Sequence, residues 1–328
     1  MTRTRQDRTT DEWAVLLEPL ARRALASYDL DVAGVSLITN DWNGVFRVNL
    51  ADGSSRVLRV SLPDRRTHAE IEGEMAWLAA LADGPVRVPA PVRTRDGRLT
   101  VDASAPGVPE ARTCAVFGWL EGVRLAGAMT TANLAALGEA TARLHQQASA
   151  FLAPTGMKTW DSAYPFLEPE VLFDDEHAPV VDAAGRDAFA RARSEAVGAI
   201  ARLRVAEGPR LVHADLHEDN AFIQPDGSIA ILDFDDCMLG WPVQDLGVTV
   251  WALTAHDAFH ELERALREGY ERVAPWPERV PGEARVFAAA RSLMMANYVL
   301  QDHDPSYRAK APAMVREEVA TIERLLPA

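Results

Sequence analysis

The densest group of residues able to do chemistry lies between His213 and Asp245. An apolar run, Leu211-Val212, leads into the loop His213-Ala214-Asp215-Leu216-His217-Glu218-Asp219-Asn220, and a predicted hairpin leads on to Asp233-Phe234-Asp235-Asp236. The hairpin should bring Asp233 back beside the loop. One carboxylate can orient an acceptor hydroxyl and take its proton, while a second carboxylate and an amide oxygen offer the hard oxygen ligands that Mg²⁺ prefers. These are the groups that phosphoryl transfer from ATP needs.

The segment resembles the catalytic loop of protein-kinase-like enzymes, H-x-D-x-x-x-x-N followed by a metal-binding D-[FLI]-[DEG]. More narrowly, residues 211–246 are similar throughout to the pattern of the aminoglycoside phosphotransferase/choline kinase family, in which a glycine and a D-L pair follow. The order of elements extends the resemblance over roughly residues 30–300. It implies ATP and Mg²⁺ as cofactors, Asp215 as the catalytic base or orienter of the acceptor hydroxyl, and Asn220 and Asp233 as Mg²⁺ ligands.

The resemblance gives four further residues of this segment supporting roles. His213 is the structural histidine of the loop, and Asp245 accepts hydrogen bonds from the loop backbone. The alternative for Asp245 is a carboxylate that stabilises the first turn of a helix through the helix dipole. His217 stands where protein kinases have a lysine, and it either reaches the γ-phosphate or only packs against the loop. Asp235 either contacts metal or substrate or is a solvated acid.

An earlier stretch of strands should cover the nucleotide. The loop from Asn40 to Gly44 has one glycine where protein kinases have three, and its backbone N–H groups could contact phosphates. Arg59 stands where family members often have a lysine; it keeps the charge and can grip phosphate in a bidentate way. Glu74 is the predicted partner of Arg59. Glu72 is the alternative, on a different side of the same helix.

Two further comparisons concern this region. Alternation along the strand places Arg56 and Arg59 on opposite faces, so Arg56 is predicted to be a solvated surface cation. The segment Phe117-Gly118-Trp119-Leu120-Glu121-Gly122 resembles the hinge whose backbone binds adenine. Trp119 and Glu121 are therefore assigned to the nucleotide site, although Trp119 could equally be a packing residue.

The elements that must position these residues change character near residue 122. Before it, the pattern predicts a helix at 11–28, strands at 35–39, 45–50 and 56–61, a helix at 68–81, a hairpin pairing 92–94 with 99–101, and a strand at 115–120. After it, the periodicity is almost wholly helical. The predicted fold is α+β and bilobal, of the protein-kinase-like type. An ATP-binding lobe over 1–122 carries a small antiparallel sheet, one helix and a helical extension at 11–28. A helical lobe over 123–328 carries the catalytic loop and the acceptor site.

Composition limits the partners. The chain has 328 residues, a formal net charge of −14 and two cysteines, Cys114 and Cys237. The negative charge disfavours nucleic acid and anionic membranes as partners, because phosphate contacts need a basic face. No apolar run reaches the length of a membrane span and no secretory signal is visible, so a cytoplasmic protein is expected. Motifs of Rossmann dehydrogenases, P-loop NTPases, α/β-hydrolases and zincins are absent from the sequence.

The acceptor is predicted to be a small hydroxylated molecule. Only twelve positions separate Asp233 from Asp245, where protein kinases have a long activation segment. Within the family, type II homoserine kinases and hydroxylysine kinases are the nearest resemblances, and an amino alcohol, an amino acid or an aminoglycoside is expected. Three alternatives remain: a nucleotide-binding pseudokinase, a stress-type bacterial Ser/Thr protein kinase, and a binuclear metal hydrolase using the histidines near Asp215. The possible pocket aromatics are Trp160, Tyr164, Phe166, Trp251 and Tyr298.

Overall fold

The structure is a computed structural model that describes residues 10–40, 43–62, 65–165, 169–302 and 305–326. The chain divides into two compact units, Met1–Glu121 with Pro154–Met157, and Gly122–Ala153 with Lys158–Ala328. The helices of the described residues are α1 (Thr10–Leu25), α2 (His68–Leu81), α3 (Thr131–Ala150), α4 (Ala183–Ala206), α5 (Pro242–Leu253), α6 (Phe259–Glu271), α7 (Glu283–Gln301), α8 (Pro305–Arg308) and α9 (Ala311–Leu325). Their strands are β1 (Val32–Thr39), β2 (Gly44–Leu50), β3 (Ser55–Val60), β4 (Pro91–Val92), β5 (Val101–Ala103), β6 (Arg112–Gly118), β7 (Val123–Arg124), β8 (Arg210–Val212), β9 (Ala221–Ile223), β10 (Ile229–Ile231) and β11 (Met238–Gly240).

The first unit is built on an antiparallel sheet. Its strand order is β1-β2-β3-β6-β4, and β5 also pairs with β6. Strand β2 alternates between buried and more exposed positions, as expected for a strand with one face on a core. Helix α1 covers that face, where Leu17 and Leu20 join Phe46, Leu58 and Val116 in one hydrophobic cluster.

One predicted pairing in this unit is wrong. The segments around 92–94 and 99–101 do not pair with each other as a hairpin. Instead, β4 and β5 each pair with β6, in the registers Val92↔Val116 and Val101↔Cys114. The turn between them does form, since the Thr94 N–H donates to the Arg98 carbonyl at 2.8 Å. Strand β6 is buried over most of its length, so both short strands gain more by adding to it than by pairing together.

Helix α2 begins at a capping box. The Thr67 side chain accepts from the Glu70 N–H, and the Glu70 carboxylate accepts from the Thr67 N–H at 2.7 Å. The segment Pro154–Met157 packs against this helix, and Gly73 is the position that admits it, because a Cβ there would overlap the Met157 sulfur. The helix is thereby fixed in rotation, which determines where Glu74 points.

The second unit combines helices with two small sheets, β10-β9-β7 and β11-β8. Two of its helix pairs touch backbone to backbone. A Cβ at Gly138 of α3 would overlap the Leu266 carbonyl of α6, and a Cβ at Gly269 of α6 would overlap the Ala135 carbonyl of α3. A Cβ at Gly247 of α5 would likewise overlap Phe287 of α7. Glycine at these crossings lets α3, α5, α6 and α7 pack closely around the catalytic segment.

Within the described residues, none of the helices combines the length and the apolar character needed to cross a membrane.

Candidate active site

The loop from His213 to Asn220 is held at both ends by strand pairing. Strand β8 leads into it and pairs with β11, in the register Val212↔Met238. Strand β9 leaves it and pairs with β10, in the register Ala221↔Ile231. The Leu232 N–H donates to the Asn220 carbonyl at 2.9 Å, immediately before Asp233. The hairpin therefore returns Asp233 beside the loop, as the sequence predicts.

Asp215 and Asn220 contact each other directly. The Asn220 Nδ2 donates to the Asp215 carbonyl at 2.9 Å and to the Asp215 Oδ2 at 3.1 Å. His217 Nε2 lies 3.4 Å from the same Oδ2 and 3.2 Å from the Asn220 Nδ2. These contacts tie the carboxylate, the amide and the imidazole into one cluster. His217 thus lies at the carboxylate rather than in an unrelated packing position, and its contact with phosphate stays a prediction.

Asp245 anchors the loop through hydrogen bonds to the loop backbone. It has no solvent exposure, and its two carboxylate oxygens accept from the His213 N–H at 2.7 Å and from the Ala214 N–H at 2.6 Å. Ala214 adopts a left-handed backbone conformation with φ of 68°, which non-glycine residues seldom adopt. The paired hydrogen bonds hold that conformation and so direct the following residue, Asp215. The predicted anchoring contact is present.

His145 of α3 extends this support and has no role in the sequence analysis. Its Nε2 lies 3.1 Å from the Asp245 Oδ2, and its Nδ1 lies 3.0 Å from the Tyr270 hydroxyl on α6. Because a carboxylate only accepts, Nε2 carries the proton and Nδ1 accepts from the tyrosine. Burial raises the pKa of Tyr270, so its hydroxyl remains a donor. The catalytic loop is therefore connected through Asp245 to two helices.

His213 supports the hairpin rather than the reaction. Its Nε2 donates to the Leu232 carbonyl at 2.7 Å, and its ring lies 4.6 Å from the ring of Phe234, centroid to centroid. The Asp215 N–H reaches its Nδ1 at 3.3 Å. The residue between its two hairpin partners, Asp233, has a left-handed backbone with φ of 59°. A structural histidine at this position is what the sequence predicts.

Sequence reasoning missed Arg291, which lies in the middle of α7. Its Nη2 donates to the Asp215 Oδ1 at 2.5 Å, and it is only 8% exposed. Burial raises the pKa of Asp215, but the Arg291 charge and the His217 contact outweigh burial and lower the pKa to about 2. Burial lowers the pKa of His217, and its contact with Asp215 outweighs burial and raises it. No local signal marks Arg291, since it lies far along the chain in a helix without a motif.

Asn220 and Asp233 fit a magnesium ion. The Nδ2 of Asn220 is engaged with Asp215, which leaves the amide oxygen as the atom available to a cation. Asp233 directly follows Leu232, whose N–H donates to the Asn220 carbonyl. A carboxylate and an amide oxygen therefore lie on one hairpin. Both are the hard ligands that Mg²⁺ takes, usually with water and substrate phosphates completing the shell. Within the described ranges, no three His, Cys, Asp or Glu side chains are grouped so that they could hold a metal ion.

The first unit contains the predicted ion pair. Arg59 donates to Glu74 through two parallel bonds, Nη1 to Oε1 at 2.8 Å and Nη2 to Oε2 at 2.6 Å, and both side chains are buried. A second cation, Arg66, reaches the same Glu74 Oε2 at 2.5 Å. Two guanidinium groups therefore contact the one carboxylate of Glu74. The sequence analysis gave Arg66 no role.

Glu72, the alternative partner for Arg59, and Arg56, the cation predicted to be solvated, have other surroundings. Glu72 lies on the other side of α2, where it accepts from the Thr100 hydroxyl, and its side chain is 45% exposed. Arg56 is half-buried rather than a solvated surface cation as predicted, because its guanidinium folds back to donate to the carbonyl of the neighbouring Ser55 at 2.7 Å.

The remaining predicted residues of the first unit lie at the ends of strands. Gly44 begins β2 and pairs with Val60, and a Cβ there would lie 3.1 Å from a Leu17 methyl group. Trp119 follows β6, and the Arg47 guanidinium lies over its ring, 4.6 Å from the centroid. Glu121 is exposed. Residues 41 and 42 of the predicted phosphate loop lie outside the described residues. The assignment of these residues to the nucleotide stays a prediction.

The predicted acceptor residues have different surroundings. Asp235 is 8% exposed, so it is not a solvated acid. Trp160 is 2% exposed and belongs to a core cluster with Val212, which makes it a packing residue. Trp251 and Tyr298 are half-buried. Tyr164 is also half-buried, and burial raises the pKa of its hydroxyl. Phe166 lies outside the described residues.

The sequence and the fold are similar to those of known kinases. A sequence profile of the phosphotransferase enzyme family matches residues 34–285. An uncharacterised protein of Deinococcus radiodurans is 33% identical over 72% of this chain and 68% of its own length. A homoserine kinase of Azorhizobium caulinodans is 31% identical over 60% of this chain and 58% of its own length. The solved structure of the microcompartment-associated aminopropanol kinase superposes with a TM-score of 0.74 at 26% identity, over 94% of this chain and 97% of that one.

Proposed function

Because the chain belongs to the phosphotransferase enzyme family and has its protein-kinase-like fold, we propose that it transfers the γ-phosphate of ATP to a hydroxyl of a small molecule, with Mg²⁺. The observation that carries this proposal is the cluster of Asp215 and Asn220 beside the hairpin that leads to Asp233, held by Asp245. The two named relatives support a small acceptor, since one is a homoserine kinase and the other an aminopropanol kinase.

The proposed step needs one ionised carboxylate near the acceptor. The acceptor oxygen forms a bond to the γ-phosphorus, the bond from that phosphorus to the β-bridging oxygen breaks, and ADP leaves. The proton of the acceptor hydroxyl passes to Asp215, which aims that hydroxyl while it is still bound. The low pKa of Asp215 keeps the carboxylate ionised and ready to accept this hydrogen bond. Its main contribution is orientation, which supplies much of the catalysis in phosphoryl transfer.

Two further groups prepare the phosphates. Asn220 and Asp233 would hold Mg²⁺, which neutralises phosphate charge when bound. In the first unit, we assign Arg59, whose guanidinium Glu74 holds in place, to the α- and β-phosphates. An arginine offers several donors in a planar fork where a lysine offers a point charge. Glu74 fixes that fork through two bonds, which supports our proposal that Arg59 takes the place of the usual lysine.

The test is ATP consumption by the purified full chain. ADP release is measured with Mg²⁺ and with EDTA, against amino alcohols, hydroxy amino acids, amino sugars and a generic protein. Asp215→Ala should lower turnover by at least about a thousandfold and leave thermal stabilisation by Mg·ATP in place. Asp233→Asn should weaken that stabilisation itself. Asp219→Asn is the matched control in the same loop, because Asp219 is half-exposed and pairs only loosely with Arg124 at 3.4 Å.

Each other outcome counts against a named part of the proposal. Near-normal turnover in Asp215→Ala removes its role in the reaction. Unchanged Mg·ATP stabilisation in Asp233→Asn removes its metal role. Stabilisation by ATP without turnover of any acceptor supports the pseudokinase instead, and turnover of the generic protein alone supports the protein kinase.

A further inference from the structure

Arg291 is the residue of the second unit whose chemistry the proposed reaction leaves unused. It comes from the middle of α7, is 8% exposed, and donates through Nη2 to the Asp215 Oδ1. A buried cation directly on the carboxylate that receives the acceptor is not needed to hold the loop, since Asp245 and Asn220 already do so. Its position therefore calls for a role at the acceptor.

Most of the donors of Arg291 have no good acceptor among the described residues. Its Nε is buried without a hydrogen-bond partner in that part of the chain. Its Nη1 reaches the Met294 sulfur at 4.0 Å, and sulfur is a weak acceptor. A guanidinium carries five N–H donors, and buried donors without partners are costly. The side chain is thus held in place while part of its fork remains available for an additional oxygen ligand.

The acceptor must lie within reach of this fork. A hydroxyl that gives its proton to Asp215 lies within hydrogen-bond distance of that carboxylate. The Arg291 Nη2 lies 2.5 Å from the same carboxylate, so a group a few carbons from the reacting hydroxyl lies beside the guanidinium. Trp251 closes one side of the fork, with its ring centroid 5.5 Å from the Arg291 Cζ. The aromatic face orients the planar cation and limits the directions from which a ligand can approach.

Planar guanidinium groups recognise carboxylates through two parallel hydrogen bonds, and they repel an isolated ammonium group. We propose that the acceptor carries a carboxylate a few carbons from its reacting hydroxyl, as in a hydroxy acid or hydroxy amino acid, and that Arg291 binds this carboxylate. The inference rests on the proposed kinase function and makes its acceptor specific. It separates the two kinds of acceptor that the named relatives suggest, because homoserine carries a carboxylate and aminopropanol does not.

The test compares acceptors that differ by one carboxylate. Three pairs serve: L-homoserine with 3-aminopropan-1-ol, L-threonine with 1-aminopropan-2-ol, and L-serine with 2-aminoethanol. For each compound, kcat/KM is measured with Mg·ATP, and binding is measured by calorimetry with Mg·ADP. In at least one pair the carboxylated member should be preferred by roughly 10- to 150-fold, the range for hydrogen bonds to a charged group. Equal values within every pair, including no binding by any member, overturn the inference.

Variants of Arg291 show whether this residue makes the distinction. Arg291→Gln should reduce kcat/KM for the carboxylated member by that factor beyond any change in its twin, mainly through KM. A role confined to positioning Asp215 would instead lower both members equally, and that result also overturns the inference. Arg285→Gln is the matched control, because Arg285 lies on the same helix and pairs with Glu263. Should Arg291→Gln fail to fold, Arg291→Lys carries the test, with the preference reduced by about tenfold as the bidentate fork is lost.

The kinase proposal and this inference fail in different ways. Absence of ATP turnover and of Mg·ATP stabilisation refutes the kinase, whatever binds in the calorimeter. Efficient turnover of the amino alcohols, with no advantage for their carboxylated twins, leaves the kinase intact and refutes the role of Arg291.

Discussion

Replacing Asp245 by asparagine should remove hydrogen bonds that hold the backbone of the loop from His213 to Asn220. The wild-type carboxylate has two equivalent oxygens, which accept from the backbone N–H groups of His213 and Ala214 at 2.7 and 2.6 Å. Asparagine keeps one acceptor oxygen. Its NH₂ group must then face either the Ala214 N–H or the His213 N–H together with the protonated Nε2 of His145, which in the wild type donates to the Asp245 Oδ2 at 3.1 Å. At least one buried donor therefore opposes another donor.

The magnitude follows from these contacts. A hydrogen bond to a charged group contributes about 1.5–3 kcal/mol, and a buried donor left without a partner costs about 1–3 kcal/mol. Asp245 is fully buried, so water cannot replace the lost partner. The free energy of unfolding should fall by about 3–5 kcal/mol. Ala214 would also lose support for its left-handed conformation, and a shift of the following Asp215 by about 1 Å should lower kcat by about a hundredfold.

The assay combines urea unfolding, followed by tryptophan fluorescence and helical circular dichroism, with ATP turnover on the best acceptor. Asp226→Asn is the control, because Asp226 also accepts from a backbone N–H, that of Ser228 at 3.0 Å, but in an exposed turn. It should change stability by less than about 1 kcal/mol. An Asp245→Asn protein with stability within about 1 kcal/mol of wild type and turnover within about twofold refutes the anchoring argument.

Three further changes test other parts of the structure. Glu74→Gln should cost about 3–5 kcal/mol of stability, because it removes the charge of a buried carboxylate that two arginines contact, and urea unfolding should show a far smaller loss for Glu72→Gln. Burial raises the pKa of Glu318 from 4.5 to about 7. Between these two pH values the folded protein therefore keeps a proton on Glu318 that the unfolded chain has released. Stability contributed by this proton is lost as pH rises through that range. Glu318→Gln should match wild type near pH 4.5 and gain up to about 3 kcal/mol above pH 7, whereas parallel pH profiles contradict this. Gly138→Ala should lower stability by about 1–3 kcal/mol, because its Cβ overlaps the Leu266 carbonyl. Gly198→Ala on α4, where a Cβ would make only an ordinary contact of 3.5 Å with the Arg202 side chain, should raise stability by up to about 1 kcal/mol, and similar melting temperatures for the two variants contradict the close crossing.

The parts of the fold and site that the sequence predicts are those set by local pattern. The bounds of α2 are predicted to the residue, since a capping box and an apolar face define them. The hairpin of β9 and β10 is predicted from a turn between two short apolar runs, and it brings Asn220 and Asp233 together. The ion pair of Arg59 with Glu74 follows from strand alternation and helix periodicity once the family pattern is recognised.

The parts that local pattern misses depend on tertiary contact. The sequence does not predict the pairing of β4 and β5 with β6. A good turn between two short strands predicts that they pair with each other, but it carries no information about the more buried strand with which both pair instead. Sequence patterns do not reveal His145 or Arg291, because each lies in a long helix far along the chain from its partner. His145 is 100 positions from Asp245, and Arg291 is 76 positions from Asp215. Helical periodicity can predict that such residues face inward, but not which polar group they meet.

The contrast between residues that local pattern predicts and residues that it misses bears on the choice of acceptor. The groups proposed to orient the acceptor hydroxyl and to hold Mg²⁺ lie within one short loop and its hairpin, so their spacing along the chain reflects their spacing in space. The groups around the acceptor side of Asp215 come from separate helices, such as Arg291 of α7 and Trp251 of α5. One helix can therefore exchange a residue at the acceptor without disturbing the loop that performs transfer. Acceptor choice in this chain should accordingly depend on α5 and α7, where we propose that Arg291, bound to Asp215, selects an acceptor that carries a carboxylate of its own.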